Sequence, residues 1–124
     1  MTRNIIVAVD DMLFTAKIRA TAEHLGVNIR SVRNLELLLK AARESLADLI
    51  IVDLHAEKLD PMGVARALKS DDELKSIPLL GFFSHVEAHL QREAVAAGYD
   101  IVVPRSVFSR DLGEILEGQK ARKP

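Results

Sequence analysis

Five short apolar runs recur along the chain, Asn4–Val9, Val27–Val32, Leu49–Val52, Pro78–Phe83 and Asp100–Val103, each followed by a segment of helix length. Those segments, about Leu13–Leu25, Leu35–Ala47, Met62–Lys69, Val86–Ala97 and Arg110–Glu117, repeat apolar residues at helical spacing. Strict alternation of strand and helix admits few folds. Parallel strands need long crossovers, and right-handed crossovers lay helices on both faces of the sheet. The first and third runs, Ile5-Ile6-Val7-Ala8-Val9 and Leu49-Ile50-Ile51-Val52, are apolar throughout, as strands covered on both faces must be. The chain is therefore predicted to be α/β, a doubly wound (βα)5 three-layer sandwich around a five-stranded parallel sheet.

Local signals agree with this division. Asp60-Pro61 offers an N-cap and a first-turn proline for the third helix, and Gly26 and Gly98 stand where the first and fourth should end. Nothing reads as a linker or repeat, so one domain over 1–119 is expected, with Lys120-Ala121-Arg122-Lys123-Pro124 as a frayed, disordered basic tail.

Composition excludes several classes. At 124 residues, 48% hydrophobic and 28% charged, the chain has the makings of one soluble core. It has no cysteine, which rules out disulfides and thiolate chemistry and fits a reducing, cytoplasmic setting. No apolar run approaches the ~20 residues of a membrane span. A formal net charge of -1 with interleaved signs gives no field to gather nucleic acid.

In doubly wound sheets ligands bind beyond the carboxyl ends of the strands. Asp10 and Asp11 follow the first strand, Asp53 the third, Ser84 the fourth and Arg105 the fifth. Carboxylates gathered in one cleft repel unless a cation offsets them. Three aspartates suit Mg²⁺, which takes few protein carboxylates and keeps its waters. Ser84 supplies a hydroxyl and Arg105 a forked cation that matches phosphate oxygens. Each residue also has a plainer role: Asp10 and Asp11 as first-turn and capping acids, Ser84 as cap of the fourth helix, Arg105 as a surface partner of Asp100 or Asp111.

Taken together, these positions resemble the receiver domains of two-component response regulators, over nearly the whole chain. Asp10-Asp11 is similar to that family's acidic pair, Asp53 in Ile51-Val52-Asp53-Leu54 to its phosphoacceptor, Ser84 to its Thr/Ser and Arg105 to its lysine. The resemblance implies a flavodoxin-like fold with strand order 2-1-3-4-5. It further implies Mg²⁺ held by Asp11, Asp53 and the His55 main-chain carbonyl, with Asp10 acting through water. Asp53 would be the nucleophile, Arg105 would neutralise the transferring oxygens, and Ser84 would move toward the acyl phosphate. Such a protein is a signalling receiver, not an enzyme beyond its own phosphorylation and dephosphorylation. Its implied partners are a histidine kinase or phosphotransfer protein and a downstream protein meeting about Glu87–Glu117, with a homodimer open.

The chain also departs from the pattern. Arg105-Ser106 stands where Lys-Pro is usual, Val102 where switching receivers often carry an aromatic residue, and His85 where alanine is common. Tyr99, the lone tyrosine, is expected to pack at a surface. These departures favour a second reading, a phosphorylation-independent scaffold. A metal-dependent phosphatase ranks last, because its Asp-x-Asp reads Asp53-Leu54-His55. His85 and His89 have helical metal-pair spacing but no third ligand, and His24 is expected to be partly exposed.

Overall fold

The computed structural model describes residues 2–84 and 87–118. The strands are β1 (Asn4–Ala8), β2 (Asn28–Ser31), β3 (Leu49–Asp53), β4 (Leu79–Phe83) and β5 (Ile101–Pro104). Between and after them run α1 (Met12–Leu25), α2 (Leu35–Ser45), α3 (Pro61–Lys69), α4 (Ala88–Ala97), α5 (Arg105–Arg110) and α6 (Leu112–Leu116), with a 3₁₀ turn at Glu57–Leu59. All strand pairs are parallel and the order is β2-β1-β3-β4-β5.

Alternation along the strands sorts side chains into two apolar layers. Ile6 and Ala8 of β1 with Ile50 and Val52 of β3 face Leu38, Val64 and Ala94 of α2, α3 and α4. Ile5, Val7, Leu49 and Ile51 face the other way, against Phe14 and Ile18 of α1, Phe108 of α5 and Ile115 of α6. The central strands β3 and β4 are buried along their whole length. Each such buried Ile, Leu or Phe contributes about 1.5–3 kcal/mol. Three rings stiffen the second layer: Phe82 and Phe108 stack at 4.8 Å between centroids, and Phe14 meets both edge-on at 5.4 and 5.7 Å.

Gly26 ends α1 with φ 71°, a left-handed cap that a side chain would strain. Gly81 is glycine for another reason: a Cβ there would stand 2.8 Å from Leu54 Cδ2 and 3.0 Å from Tyr99 Cδ2. Asp60 caps α3 by accepting the Gly63 N–H at 3.2 Å, with Pro61 in the first turn, as its sequence predicts.

Polar ties gather at the amino ends of the strands. Asp48 accepts the Asn4 N–H at 2.8 Å, and the Asn28 amide donates to Asn4 Oδ1 at 3.1 Å. Lys69 Nζ reaches Asp100 Oδ2 at 2.9 Å, and the same oxygen accepts the Leu79 N–H at 2.8 Å. Arg3 Nε donates to the Leu116 carbonyl at 2.8 Å, closing α6.

Two expectations fail at the C-terminal end. The last helix does not begin at Arg110: α5 starts directly at Arg105, and the path breaks at Asp111 before α6. Pro104, with extended backbone at φ -64° and ψ 150°, is the N-cap, so the helix opens at the next residue. The break is marked by the Asp111 carboxylate, which accepts the neighbouring Arg110 guanidinium at 3.0 Å. Tyr99 is not at a surface either. It is 4% exposed, packed into the first layer, and its hydroxyl donates to the Pro61 carbonyl at 2.8 Å. Burial pushes its phenol well above the usual tyrosine range. The tail Lys120–Pro124, His85 and Val86 lie outside the described residues.

Candidate functional site

β1 and β3 are neighbours with Ala8 beside Val52, so the residues that follow them emerge side by side. Asp53 closes β3 in the row of Leu49 and Ile51 and is paired in register with Phe82 of β4. It is 7% exposed, the one buried charged side chain among the described residues. Its Oδ1 accepts the His55 N–H at 2.9 Å. Burial pushes the Asp53 carboxyl above the usual aspartate range, against the pull of the His55 N–H and the His55 and Arg105 charges; Asp10 adds to the rise.

Asp11 is divided between two tasks. Its Oδ1 caps α1 by accepting the Phe14 N–H at 3.0 Å, so its plainer role is real. Its Oδ2 accepts Arg105 Nη2 at 3.1 Å. The Phe14 N–H first, then the Arg105 guanidinium, hold the Asp11 carboxyl below its ordinary range. Arg105 therefore pairs with neither Asp100, which binds Lys69, nor Asp111, which binds Arg110. Its guanidinium lies 3.9 Å above the Phe14 ring.

Asp10 is exposed at the mouth and lines, with Met12, Arg19, Arg33, His55 and Lys58, a cleft of about 900 Å³. Ser84 is exposed one residue beyond β4. It is not the cap of α4, whose N-cap is Glu87. Among the described residues no three His, Cys, Asp or Glu side chains stand together as a ready metal cage. Of the proposed His85–His89 pair only His89 is described, 3.6 Å from Glu87; His24 is exposed.

Sequence reasoning missed the role of Phe14. Its helical spacing marks it as core, and nothing local shows that its ring also seats a guanidinium 91 residues away in the chain. The exposure of Met12 and Leu13, at 82% and 86% in the first turn of α1, is likewise invisible to a periodicity that opens this helix at about Leu13.

No protein-family model matches the chain. It is 31% identical over 80 residues to the polar-differentiation response regulator DivK of Brucella anthropi, an alignment covering 64% of this chain and 65% of that relative. The chain thus spans just under two thirds of the length of the curated relatives it matches. The chemotaxis protein CheY4 of Vibrio cholerae superposes with a TM-score of 0.82 at 15% identity, over 94% of this chain and 98% of that one. The chain has the fold of these receiver domains, and over part of its length its sequence is similar to that of a response regulator. Another receiver, from a sensor histidine kinase of Pseudomonas aeruginosa, superposes at a TM-score of 0.81 and 17% identity, over 94% and 96% of the two chains. That protein is described with a magnesium ion coordinated in its active site cleft. The strand order of this chain, 2-1-3-4-5, agrees with the expectation from its sequence. No helix among its described residues is long and apolar enough to cross a membrane.

Proposed function

We propose that this receiver accepts a phosphoryl group on Asp53 from a histidine kinase or phosphotransfer protein and passes the change to a protein partner. One observation carries the reading. A lone carboxylate is kept buried at the carboxyl end of a central strand, at a cost in folding free energy, at the edge of the sheet where such folds bind ligands. An Asp53 oxygen attacks phosphorus as the phosphorus–nitrogen bond of phosphohistidine breaks, leaving an acyl phosphate and a free imidazole. The His55 N–H holds Asp53 in place. Arg105, at the start of α5, is within the electrostatic reach of Asp53 and supplies positive charge to the transferring oxygens. Ser84 supplies a hydroxyl from the end of β4.

The donor set fits Mg²⁺. Its oxygens are hard, and an ion that binds one or two carboxylates and retains water needs no cage of three acids. Asp53, Asp11 and the His55 main-chain carbonyl would hold it, with Asp10 acting through water; when bound it offsets negative charge as the phosphoryl group arrives. The output face would be about Glu87–Glu117, and phosphotransfer would take place in the cytoplasm.

A phosphorylation-independent scaffold is the second reading, favoured by the Arg105–Asp11 pair that already neutralises one of the acids. Millimolar Mg²⁺ with beryllofluoride separates the two. Shifts in the amides of Asp53, Ser84 and Arg105, abolished in Asp53→Asn, are expected; silence in the parent chain would leave the scaffold.

A further inference from the structure

We propose that the cleft beside the acids is a second ligand site, shaped for a nucleotide, with phosphates at Arg19, Arg33 and Lys58 and the ring on the apolar floor around Met12. Asp53 is not among its walls, so the inference goes beyond phosphorylation and does not depend on it. At about 900 Å³ the cleft falls in the size range of small-molecule sites. Three separate elements form it: α1 brings Arg19, the chain leaving β2 brings Arg33, and the 3₁₀ turn after β3 brings Lys58.

The three cations single the cleft out. Arg30, Arg43, Lys69 and Arg110 each hold a carboxylate elsewhere, at 2.8–3.0 Å. Among the described residues Arg19, Arg33 and Lys58 hold none. Arg19 Nη2 donates instead to Ser31 Oγ at 2.9 Å, a neutral partner that holds the guanidinium at the β2 wall while its charge stays uncompensated. One unpaired cation on a surface is ordinary. Three that converge from distant points in the chain concentrate positive potential where a concavity focuses it. A guanidinium fork matches phosphate oxygens in pairs, and the lysine adds a point charge. The rest of the lining has a different character. Met12 is 82% exposed, and with Val9, Ala16 and Val32 in the same cleft it gives a ring an apolar face to rest on. Asp10 and Glu57 repel phosphate but accept hydrogen bonds from ribose hydroxyls and a base amino group. A plain anion would leave the floor unused and meet both acids; a nucleotide uses every part.

Titration of the full chain with ADP in EDTA, followed by amide signals, tests this. Shifts are expected at Met12, Ala16, Ser31, Arg33 and Lys58 and not in α4, with a Kd on the order of 100 µM, since these side chains are exposed. Arg33→Gln and Lys58→Gln should each weaken ADP about 3–10-fold. Arg92→Gln removes the same charge from α4, outside the cleft, and should change affinity less than about 2-fold. Met12→Ala should weaken ADP about 2–5-fold and leave pyrophosphate unaffected. Each replaced side chain is exposed, so the variants are expected to melt with the parent. No shift at millimolar ADP, or equal weakening by Arg92→Gln and Arg33→Gln, would overturn the site. Pyrophosphate bound as tightly as ADP would overturn the nucleotide. None of these outcomes bears on Asp53, whose beryllofluoride response is read separately with Mg²⁺.

Discussion

Replacing Asp53 by asparagine should stabilise the metal-free chain at neutral pH. The carboxylate is 7% exposed, and among the described residues the His55 N–H is its one hydrogen-bond donor. Asparagine keeps the acceptor oxygen and removes the buried charge. Because burial raises the folded-state pKa above the unfolded value of 3.8, the folded chain favours the protonated acid. The contribution of Asp53 is therefore full below pH 3.8 and is lost as pH rises through its folded value. The asparagine variant escapes that loss, so its advantage grows above pH 3.8 and levels off once the native carboxyl is ionised. Relief of a functional liability of this kind is worth about 0.5–2 kcal/mol. With an unfolding entropy of about 2.1 cal/mol/K per residue, a chain of 124 residues melts about 4 °C higher for each kcal/mol. The expected rise in Tm is about 2–8 °C at pH 7, measured by circular dichroism with EDTA present, and urea unfolding at several pH values traces its decline toward acid. A variant that melts at or below the parent at pH 7, or an advantage independent of pH, would refute the argument that burial destabilises this charge.

Gly81→Ala places a methyl group against Leu54 and Tyr99, and should cost about 1–3 kcal/mol in urea unfolding with no change in m-value. Tyr99→Phe removes the hydroxyl that holds the Pro61 carbonyl, and should cost about 0.5–1.5 kcal/mol, since the ring still fills its place; a neutral result would mean that this hydrogen bond is replaced by water.

Fold and site were unequally legible in the sequence. Sheet residues declare themselves because burial on both faces demands continuous apolar runs, and β1 and β3 end within a residue of where Ile5–Val9 and Leu49–Val52 suggest. The edge strand β2 is shorter than Val27–Val32, although the Val32 N–H still reaches the Val7 carbonyl at 3.0 Å. α5 was hidden for a physical reason: with six residues and one buried side chain, Phe108, it has too little apolar periodicity to register. At the site, sequence shows which groups arrive at the carboxyl edge but not how they divide their bonds. Nothing near Asp11 in the chain foretells that one oxygen caps a helix while the other meets Arg105. That partition depends on a ring contributed by α1 and a helix start contributed by the segment after β5.

The polar ties described earlier lie at the amino ends of the strands, whereas the acids, Ser84 and Arg105 lie at the carboxyl ends. Alignment of the sheet is thus anchored at the pole remote from the chemistry. Loops at the carboxyl pole can vary without the strands losing their pairing. A scaffold divided in this way serves equally as a switch and as a fixed platform, and the difference between them rests on a few side chains that the fold itself does not need.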